Sequence, residues 1–289
     1  MIETAKTRKR IVVIGLGDTG VLVATGLSKQ FDVTAVTPRP FYLNSQNLGA
    51  RLAWPDFWEG VAKISTDRFA RLDPVRIVQG LATQVDLQRD TVTVNRVDGS
   101  KTVLAYDALV IASGAENGFW RRTLVETWQE EAQRRQDERA PLKRASSIAI
   151  IGGGASGVSS AAGLAERYPD KSVRLFFSGK TVLPEFPRRA ALTMMKRLKT
   201  LGVECHPNHR AVRPKPEDMR VIKPGRVAWQ NGQAPVQVDA IIWALGKQTP
   251  NSNYLPNDIL DDAGFVRVRP TLQIEASDHV FCVGDLAAS

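Results

Sequence analysis

The sequence predicts an α/β fold built from two strand-glycine-helix-strand units placed one after the other along the chain. Two observations carry this prediction. A β-branched run meets a G-x-G-x-x-G motif at Gly15 and again at Gly152, and each motif is followed by a helix-like stretch and a second strand-like run. A third observation closes the pattern. Two later segments, "YDALVIASGA" and "VDAIIWALGKQTP", each bring a strand to a small-residue turn, one after each unit.

In the first unit, "RIVVIGLGDTGVLVATGLSKQFDVTAVTP", Ile11–Ile14 is a continuous run of the kind that suits a strand buried on both faces. Gly15, Leu16, Gly17, Asp18, Thr19 and Gly20 form the motif, a helix-like stretch runs to about Gln30, and Asp32–Val36 reads as the next strand. The glycines have separate jobs: a tight turn, close approach of backbone to a pyrophosphate, and close helix-strand packing. The helix N-terminus then offers N–H groups and a positive dipole end to phosphates. In the second unit Ile148–Ile151 is the strand, and Gly152, Gly154 and Gly157 repeat the spacing around Ala155 and Ser156. Ala155–Arg167 is the helix and Val173–Phe177 the next strand. One such motif is weak evidence, because glycine also punctuates ordinary turns. Two in the same setting predict two Rossmann-like dinucleotide-binding units, with crossovers at Ala112-Ser113-Gly114 and Ala244-Leu245-Gly246.

The 289 residues suffice for two domains, and 43% hydrophobic with 24% charged residues is ordinary for a globular protein. The net charge of +9 suits phosphate-bearing ligands, an anionic membrane surface or nucleic acid. The basic clusters Lys6–Arg10, Arg121-Arg122 and Arg134-Arg135 come with no nucleic-acid-binding motif and read as solvated faces. Cys205 and Cys282 are far apart, so neither a redox dithiol nor a disulfide scaffold is expected. The segment "ECHPNHR" holds Cys205, His206 and His209, which are metal-ligand types, but a strand followed by a solvated turn is the better reading and no metal is expected. "MIETAKTRKR" leads into too short an apolar run for a signal-peptide core, Met1-Ile2 does not begin a myristoylation signal, and no run is long enough to span a bilayer. The expectation is a soluble cytoplasmic protein, with peripheral membrane contact left open.

The order G-x-G-x-x-G, A-S-G-A, G-x-G-x-x-G, A-L-G-x-x-x-P, F-x-V-G-D runs through nearly the whole chain. It resembles the two-dinucleotide-binding-domain flavoproteins of the pyridine nucleotide-disulfide oxidoreductase superfamily. Within it, "TVLPEFPRRAALTMMKRLKTLGVE" and "FYLNSQNLGARLAW" are most similar to the apoptosis-inducing-factor-like and ferroptosis-suppressor branch, with type II NADH dehydrogenases as near relatives. The resemblance implies a discontinuous FAD-binding domain, residues 1–115 and 248–289, into which an NAD(P)H-binding domain, residues 116–247, is inserted. The segment Trp120–Glu138 reads as a joining helix, with Trp120, Leu124, Trp128 and Ala132 on one packed face and Arg and Glu elsewhere. A later helix is expected over Arg188–Leu201.

By resemblance, Gly15 to Gly20 would hold the FAD pyrophosphate. Arg51 falls where the branch places an FAD-contacting arginine, a surface arginine being the alternative. Ala82 matches a position whose backbone contacts the adenine, an ordinary residue between strands being the alternative. Gly284 and Asp285 would hold the ribityl chain, and Asp285 also suits a helix N-cap. Gly152, Gly154, Ala155, Ser156 and Gly157 would hold NAD(P)H, with Gly246 at the second crossover. Three departures stand out. Thr37 occupies the place of the acid that usually binds ribose hydroxyls. The second unit also lacks that acid, and Ser178 and Lys180 would not repel a 2′-phosphate, so NADPH suits it at least as well as NADH. Ser159 stands where the branch commonly has a glutamate near the nicotinamide.

The implied function is an FAD-dependent NAD(P)H oxidoreductase that passes electrons to a small acceptor, a quinone in this branch. No catalytic side chain is required, because the cofactor carries the chemistry. The missing cysteine pair sets disulfide reduction aside. Two alternatives remain: a degenerate, non-catalytic nucleotide-binding protein, and a ferredoxin-type reductase whose acidic partner would suit the basic surface. Leu286–Ser289 supply at most the first turn of a helix that continues in the family. The expectation is therefore a C-terminally shortened form, without the interface domain and with a weakened FAD site.

Overall fold

The structure, a computed structural model, describes residues 8–43, 48–116, 124–245 and 249–288. The chain opens with β1 (Arg10–Ile14), α1 (Asp18–Leu27) and β2 (Asp32–Thr37). An excursion follows through β3 (Phe41–Leu43), α2 (Leu48–Ala53), α3 (Pro55–Phe57) and β4 (Lys63–Ser65), in which β3 and β4 pair antiparallel. Next come β5 (Arg76–Asp86), β6 (Thr91–Arg96), β7 (Lys101–Ala105), β8 (Ala108–Ile111) and the short β9 (Ala115–Glu116). The middle of the chain forms α4 (Trp128–Arg144), β10 (Ser147–Ile151), α5 (Ala155–Arg167), β11 (Ser172–Phe176), α6 (Arg188–Thr200) and β12 (Glu204–His206). It continues through α7 (Pro216–Met219), β13 (Lys223–Val227) and β14 (Val236–Trp243). The last described elements are β15 (Thr249–Pro250), β16 (Val266–Arg267), β17 (Val280–Cys282) and β18 (Ala287–Ala288).

Two larger sheets organise these strands. The first has the order β17-β8-β1-β2-β5-β6-β7, parallel from β17 to β5 and antiparallel thereafter. The second has the order β12-β11-β10-β14-β13 and is parallel except for β13. Every strand of the second sheet lies in sequence between β8 and β17, which are hydrogen-bonded neighbours in the first. The central strands are apolar on both faces, as parallel strands covered by helices must be. Val13 and Ala35 in the first sheet and Ile148, Ala149 and Ile150 in the second have no exposed surface. Each large side chain buried this way contributes about 1.5–3 kcal/mol.

The two glycine turns are built alike. Gly15 N–H donates to Val36 O and Gly152 N–H to Phe176 O, both at 2.8 Å. Ala112 N–H donates to Ile14 O and Ala244 N–H to Ile151 O, again both at 2.8 Å. Each first strand is thus held between its unit's second strand and its crossover strand, and the glycine loop leaves at the same edge in both.

The joining helix departs from its sequence expectation. It begins at Trp128, and residues 124–127 precede it without helix; Trp120 lies outside the described residues. The start is set by a capping box: Glu130 N–H donates to Thr127 Oγ1 (3.2 Å) and Thr127 N–H to Glu130 Oε2 (2.8 Å). The buried stripe of α4 is Glu131, Arg135 and Leu142, while Leu124 and Trp128 remain more than a third exposed. Arg134-Arg135 is therefore not a solvated face. The reason is the segment it meets. Lys63 Nζ donates to Glu131 Oε2 at 2.6 Å, Arg135 Nη2 lies 2.8 Å from the same atom, and Glu59 pairs with both cations. Lys63 also sits 4.1 Å from the Trp128 ring centroid. Charges can be buried here because each has an opposite partner.

The excursion from the first sheet rests on the second. Leu52 of α2 belongs to the core formed by Ile148, Leu164 and Leu175. Gly163 of α5 makes room for Trp54, since a Cβ there would stand 2.9 Å from the indole.

The chain end also differs from expectation. No helix starts at Asp285 among the described residues. Ala287–Ala288 form β18, parallel to β16, with Val266 N–H donating to Leu286 O (3.0 Å). Ala287 N–H closes one turn on Gly284 O (3.1 Å), and the pairing with β16 then holds the backbone extended in place of a helix.

Candidate functional site

The C-terminal ends of β1, β2 and β8 open onto a cleft of about 600 Å³. Gly15, Leu16, Gly17, Asp18 and Thr19 form one wall, and Ala112, Ser113, Gly114, Gly284 and Asp285 form another. Thr37, Arg51 and Ala82 line it from β2, α2 and β5. Sequence positions spanning nearly the whole chain thus meet in one place. Open parallel sheets bind ligands at this edge, beyond the carboxyl ends of their strands.

The glycines divide by what surrounds them. Gly15 has φ +100°, and a Cβ there would meet Ala112 O at 2.4 Å. A Cβ on Gly20 would meet Gly15 O at 1.9 Å. Both glycines are required by the protein itself. Gly17 differs, because a Cβ there would find nothing within 4 Å. The second loop repeats this. Gly152 (φ +130°) and Gly157 are crowded, at 2.2 Å from Ala244 O and 1.9 Å from Gly152 O, whereas Gly154 faces open space. In each loop the middle glycine answers to nothing inside the protein.

The cleft wall is held by a small network. Ser113 Oγ donates to Asn251 O (3.0 Å) and lies 2.8 Å from the Tyr254 hydroxyl, and Asn251 Nδ2 returns to Ser113 O (2.9 Å). Burial pushes the Tyr254 phenol up, partly offset by its hydrogen bond with Ser113, so it stays protonated. Gly284 lies over Thr19, whose Oγ1 would be 2.9 Å from an added Cβ. That closeness fixes Asp285 at the mouth of the glycine loop.

At the β2 end, Thr37 is 4% exposed and its hydroxyl turns back to Arg39 O (3.2 Å). Arg39 and Arg134 converge on Glu126, at 3.2 and 2.6 Å. Burial pulls the Glu126 carboxyl upward, but hydrogen bonds and charge from Arg134 and Arg39 outweigh it and hold the group below its ordinary value. Burial also draws the Arg39 guanidinium below its ordinary value, partly offset by Glu126. Arg51 is 6% exposed and donates to Glu138, so it is not a surface arginine. Ala82 lies within β5, beside a register shift, and not between strands.

The second-unit residues gather elsewhere, at the C-terminal edge of β10 and β11. Ala155, Ser156 and Ser159 lie on the first turns of α5, and Ser159 is exposed. Ser178 and Lys180 follow β11 and are exposed. The loop they belong to folds back on the glycine turn, with Leu183 N–H donating to Gly153 O at 2.7 Å. Gly246 lies outside the described residues.

The Cys205, His206, His209 segment is a strand and turn, but its rings are not simply solvated. His206 stacks on Phe176 at 4.4 Å between centroids, and His209 meets Trp229 edge-on at 4.8 Å. Among the described residues no group of three His, Cys, Asp or Glu is placed to hold a metal. Cys205 and Cys282 are both free and belong to different sheets.

Arg134 was read only as part of a solvated basic cluster, and Tyr42, Arg39, Glu131, Asn251 and Tyr254 were not singled out by sequence reasoning. Only the last pair had a visible signal, the polar "TPNSNY" that follows the second crossover. Arg39, Glu131 and Arg134 line the cleft, and Tyr42 meets it through Asp18.

Among the described residues no helix is long and apolar enough to cross a membrane. The chain is 29% identical over 307 residues to the oxidoreductase ptaL of Pestalotiopsis fici, covering 97% of this chain and 77% of that protein. It is 26% identical to apoptosis-inducing factor homolog B of Dictyostelium discoideum (96% and 74%). It is 25% identical to the type II NADH:quinone oxidoreductase NdhA of Mycobacterium tuberculosis (96% and 66%). Among solved structures, NDH2 from Plasmodium falciparum in complex with NADH superposes with a TM-score of 0.77 at 16% identity. That likeness covers 97% of this chain and 64% of that one, so the chain spans just under two thirds of the solved protein. Residues 9–289 match the pyridine nucleotide-disulphide oxidoreductase family, and the chain belongs to it.

Proposed function

We propose that this chain is an FAD-dependent NAD(P)H oxidoreductase that passes electrons to a small acceptor of the quinone class. The observation that carries this reading is the pair of alike glycine loops, each with a middle glycine that faces open space. A Cβ at Gly17 or Gly154 would meet no protein atom within 4 Å, which supports space kept for a ligand whose backbone contacts must be close.

In this reading residues 1–115 and 248–289 bind FAD and residues 116–247 bind NAD(P)H. The Gly15–Gly20 loop and the start of α1 would hold the pyrophosphate through backbone N–H groups. Thr37, Arg51 and Ala82 would border the adenosine end. Ala112, Ser113, Gly114, Gly284 and Asp285 would border the other end, where the Ser113–Asn251–Tyr254 network keeps the wall rigid. Gly152, Gly154, Ala155, Ser156 and Gly157 would hold the nicotinamide dinucleotide, with Ser159 near its reactive end. Ser178 and Lys180 follow β11 with no acid beside them in sequence, which supports NADPH as a donor. A bound flavin supplies the chemistry, accepting a hydride and passing the electrons on. The protein's part is to bind, orient and exclude water, and the buried Phe41 and Trp58 give the cleft an apolar flank. With the two cysteines in separate sheets, no dithiol relay is available, which supports direct reduction of a small acceptor.

The test is an absorbance spectrum of the purified chain, incubated with FAD, before and after NADPH. Flavin bands that bleach on NADPH and recover on a soluble quinone are the expected result. Protein that retains no flavin would sink the proposal. Recovery with a ferredoxin and not with quinone would replace the acceptor.

A further inference from the structure

Asp18 is the first residue of α1, and it lines the cleft directly beside Gly17. The N-terminal turn of a helix draws phosphate through its free N–H groups and dipole. A carboxylate in that turn, on the ligand side, works against the same phosphate. The fold does not ask for this charge. The second loop has Ala155 at the equivalent place, and its geometry is otherwise the same. Gly17 has φ −78° and ψ −166°, and Gly154 has φ −76° and ψ −179°. A Cβ added to the third glycine of either loop would stand at the same 1.9 Å from the first glycine's carbonyl oxygen. The charge at residue 18 is therefore an addition to a cradle that forms without it.

Asp18 is also held. The Tyr42 hydroxyl donates to Asp18 Oδ1, and the Tyr42 ring is fixed edge-on against Phe69 at 5.6 Å between centroids. Burial first, and then the bond and charge of Asp18, push the Tyr42 phenol upward, so the donor keeps its proton across the physiological range.

We propose that Asp18 and Tyr42 set the affinity of the first cleft for a diphosphate: Asp18 opposes the ligand's negative charge, and Tyr42 holds and partly neutralises that carboxylate. The inference rests on the reading of this cleft as a dinucleotide site. It makes Asp18 a specificity-determining residue and Tyr42 the positioning residue that moderates it.

The test measures dissociation constants of the full chain for FAD, ADP and adenosine, in the wild type, Asp18→Asn, Asp18→Ala, Tyr42→Phe and Asp18→Asn/Tyr42→Phe. Removing one charge near a partly solvated diphosphate is expected to tighten FAD and ADP about tenfold. Adenosine, which has no phosphate, should not respond. Tyr42→Phe should weaken FAD and ADP several-fold, and that effect should vanish in the Asp18→Asn background. A merely structural Asp18 predicts the opposite sign. Losing an acid from the first turn of α1 would then lower the melting temperature and weaken all three ligands alike. Asp18→Asn and Asp18→Ala that both fail to tighten ADP overturn the proposal, as does a Tyr42→Phe effect that persists in the double variant. If the wild type binds ADP but not FAD, the FAD reading falls while the order of ADP affinities still decides this one. If neither binds, both fall.

Discussion

Replacing Gly17 and Gly20 by alanine in separate variants should have different consequences for stability, although the two lie three residues apart. Gly17 adopts φ −78° and ψ −166°, a conformation alanine accepts, and its Cβ would meet no atom within 4 Å. Alanine restricts the unfolded chain, worth about 0.4–1 kcal/mol in favour of folding. Alanine is also a poorer N-cap than glycine, by roughly 0.5–1 kcal/mol. The two nearly cancel, and Gly17→Ala should melt within a few degrees of the wild type. At Gly20 the new Cβ would lie 1.9 Å from Gly15 O, a backbone atom that cannot rotate away. Relieving that overlap means shifting α1 off β1, at about 3 kcal/mol or more. At about 2–4 °C per kcal/mol this is a loss of roughly 6–12 °C. Flavin retention should fall in both variants. In Gly17→Ala it should fall with the fold intact, because the methyl group enters space kept for the ligand. The assays are thermal melts by circular dichroism and bound flavin by absorbance. Gly154→Ala and Gly157→Ala should repeat the contrast for NADPH binding. The reasoning is refuted if Gly17→Ala melts as low as Gly20→Ala, or if it keeps full FAD affinity.

Other consequences can be checked as directly. Glu131→Ala leaves Lys63 and Arg135 buried against Glu59 alone, which should cost about 3–5 kcal/mol and lower the melting temperature by roughly 6–20 °C. A shift below about 2 °C would mean that the cluster is not a buried charge pair in solution. Burial pushes the Cys282 thiol up to about 12, and the residue has no exposed surface. A thiol reagent at pH 8 should therefore label Cys205 and spare Cys282 until the protein unfolds, as read by mass spectrometry. Because that thiol stays neutral in the fold, its contribution to stability is complete below the ordinary thiol value and is lost as pH rises toward 12. Lys180→Ala should raise KM for NADPH by about tenfold and leave NADH unchanged. An equal loss for both donors would place Lys180 outside the 2′-phosphate contact.

The order and type of the central elements were legible before any coordinates. β1, α1, β2, β10, α5 and β11 lie within a few residues of their predicted spans, and α5 matches at both ends. Each is specified locally, by a β-branched run, a glycine spacing or an apolar helix face. The same locality made the free cysteines and the small-residue turn at Ala112-Ser113-Gly114 readable. The joining helix was misread because its apolar residues suggested the buried face. Instead α4 buries Glu131 and Arg135, since Lys63 and Glu59, distant in sequence, supply the opposite charges.

What the sequence determined alone is the family grammar: two glycine loops of equal spacing, each entered by a buried strand and left by a helix. The physical reason is that a turn with φ near +100° or +130°, and a helix resting against a carbonyl oxygen, admit only glycine. Which glycines the fold itself requires, and which stand with open space before them, is not written in the spacing. That was decided by tertiary structure, through what lies within 4 Å of each missing Cβ. The electrostatics of the cleft were decided there too. Arg39 meets Glu126, Arg51 meets Glu138 and Tyr42 meets Asp18 only once the β2–β4 excursion folds back against α1 and α4. Charge interactions act through space, so a linear reading found the acids and bases but not their partners.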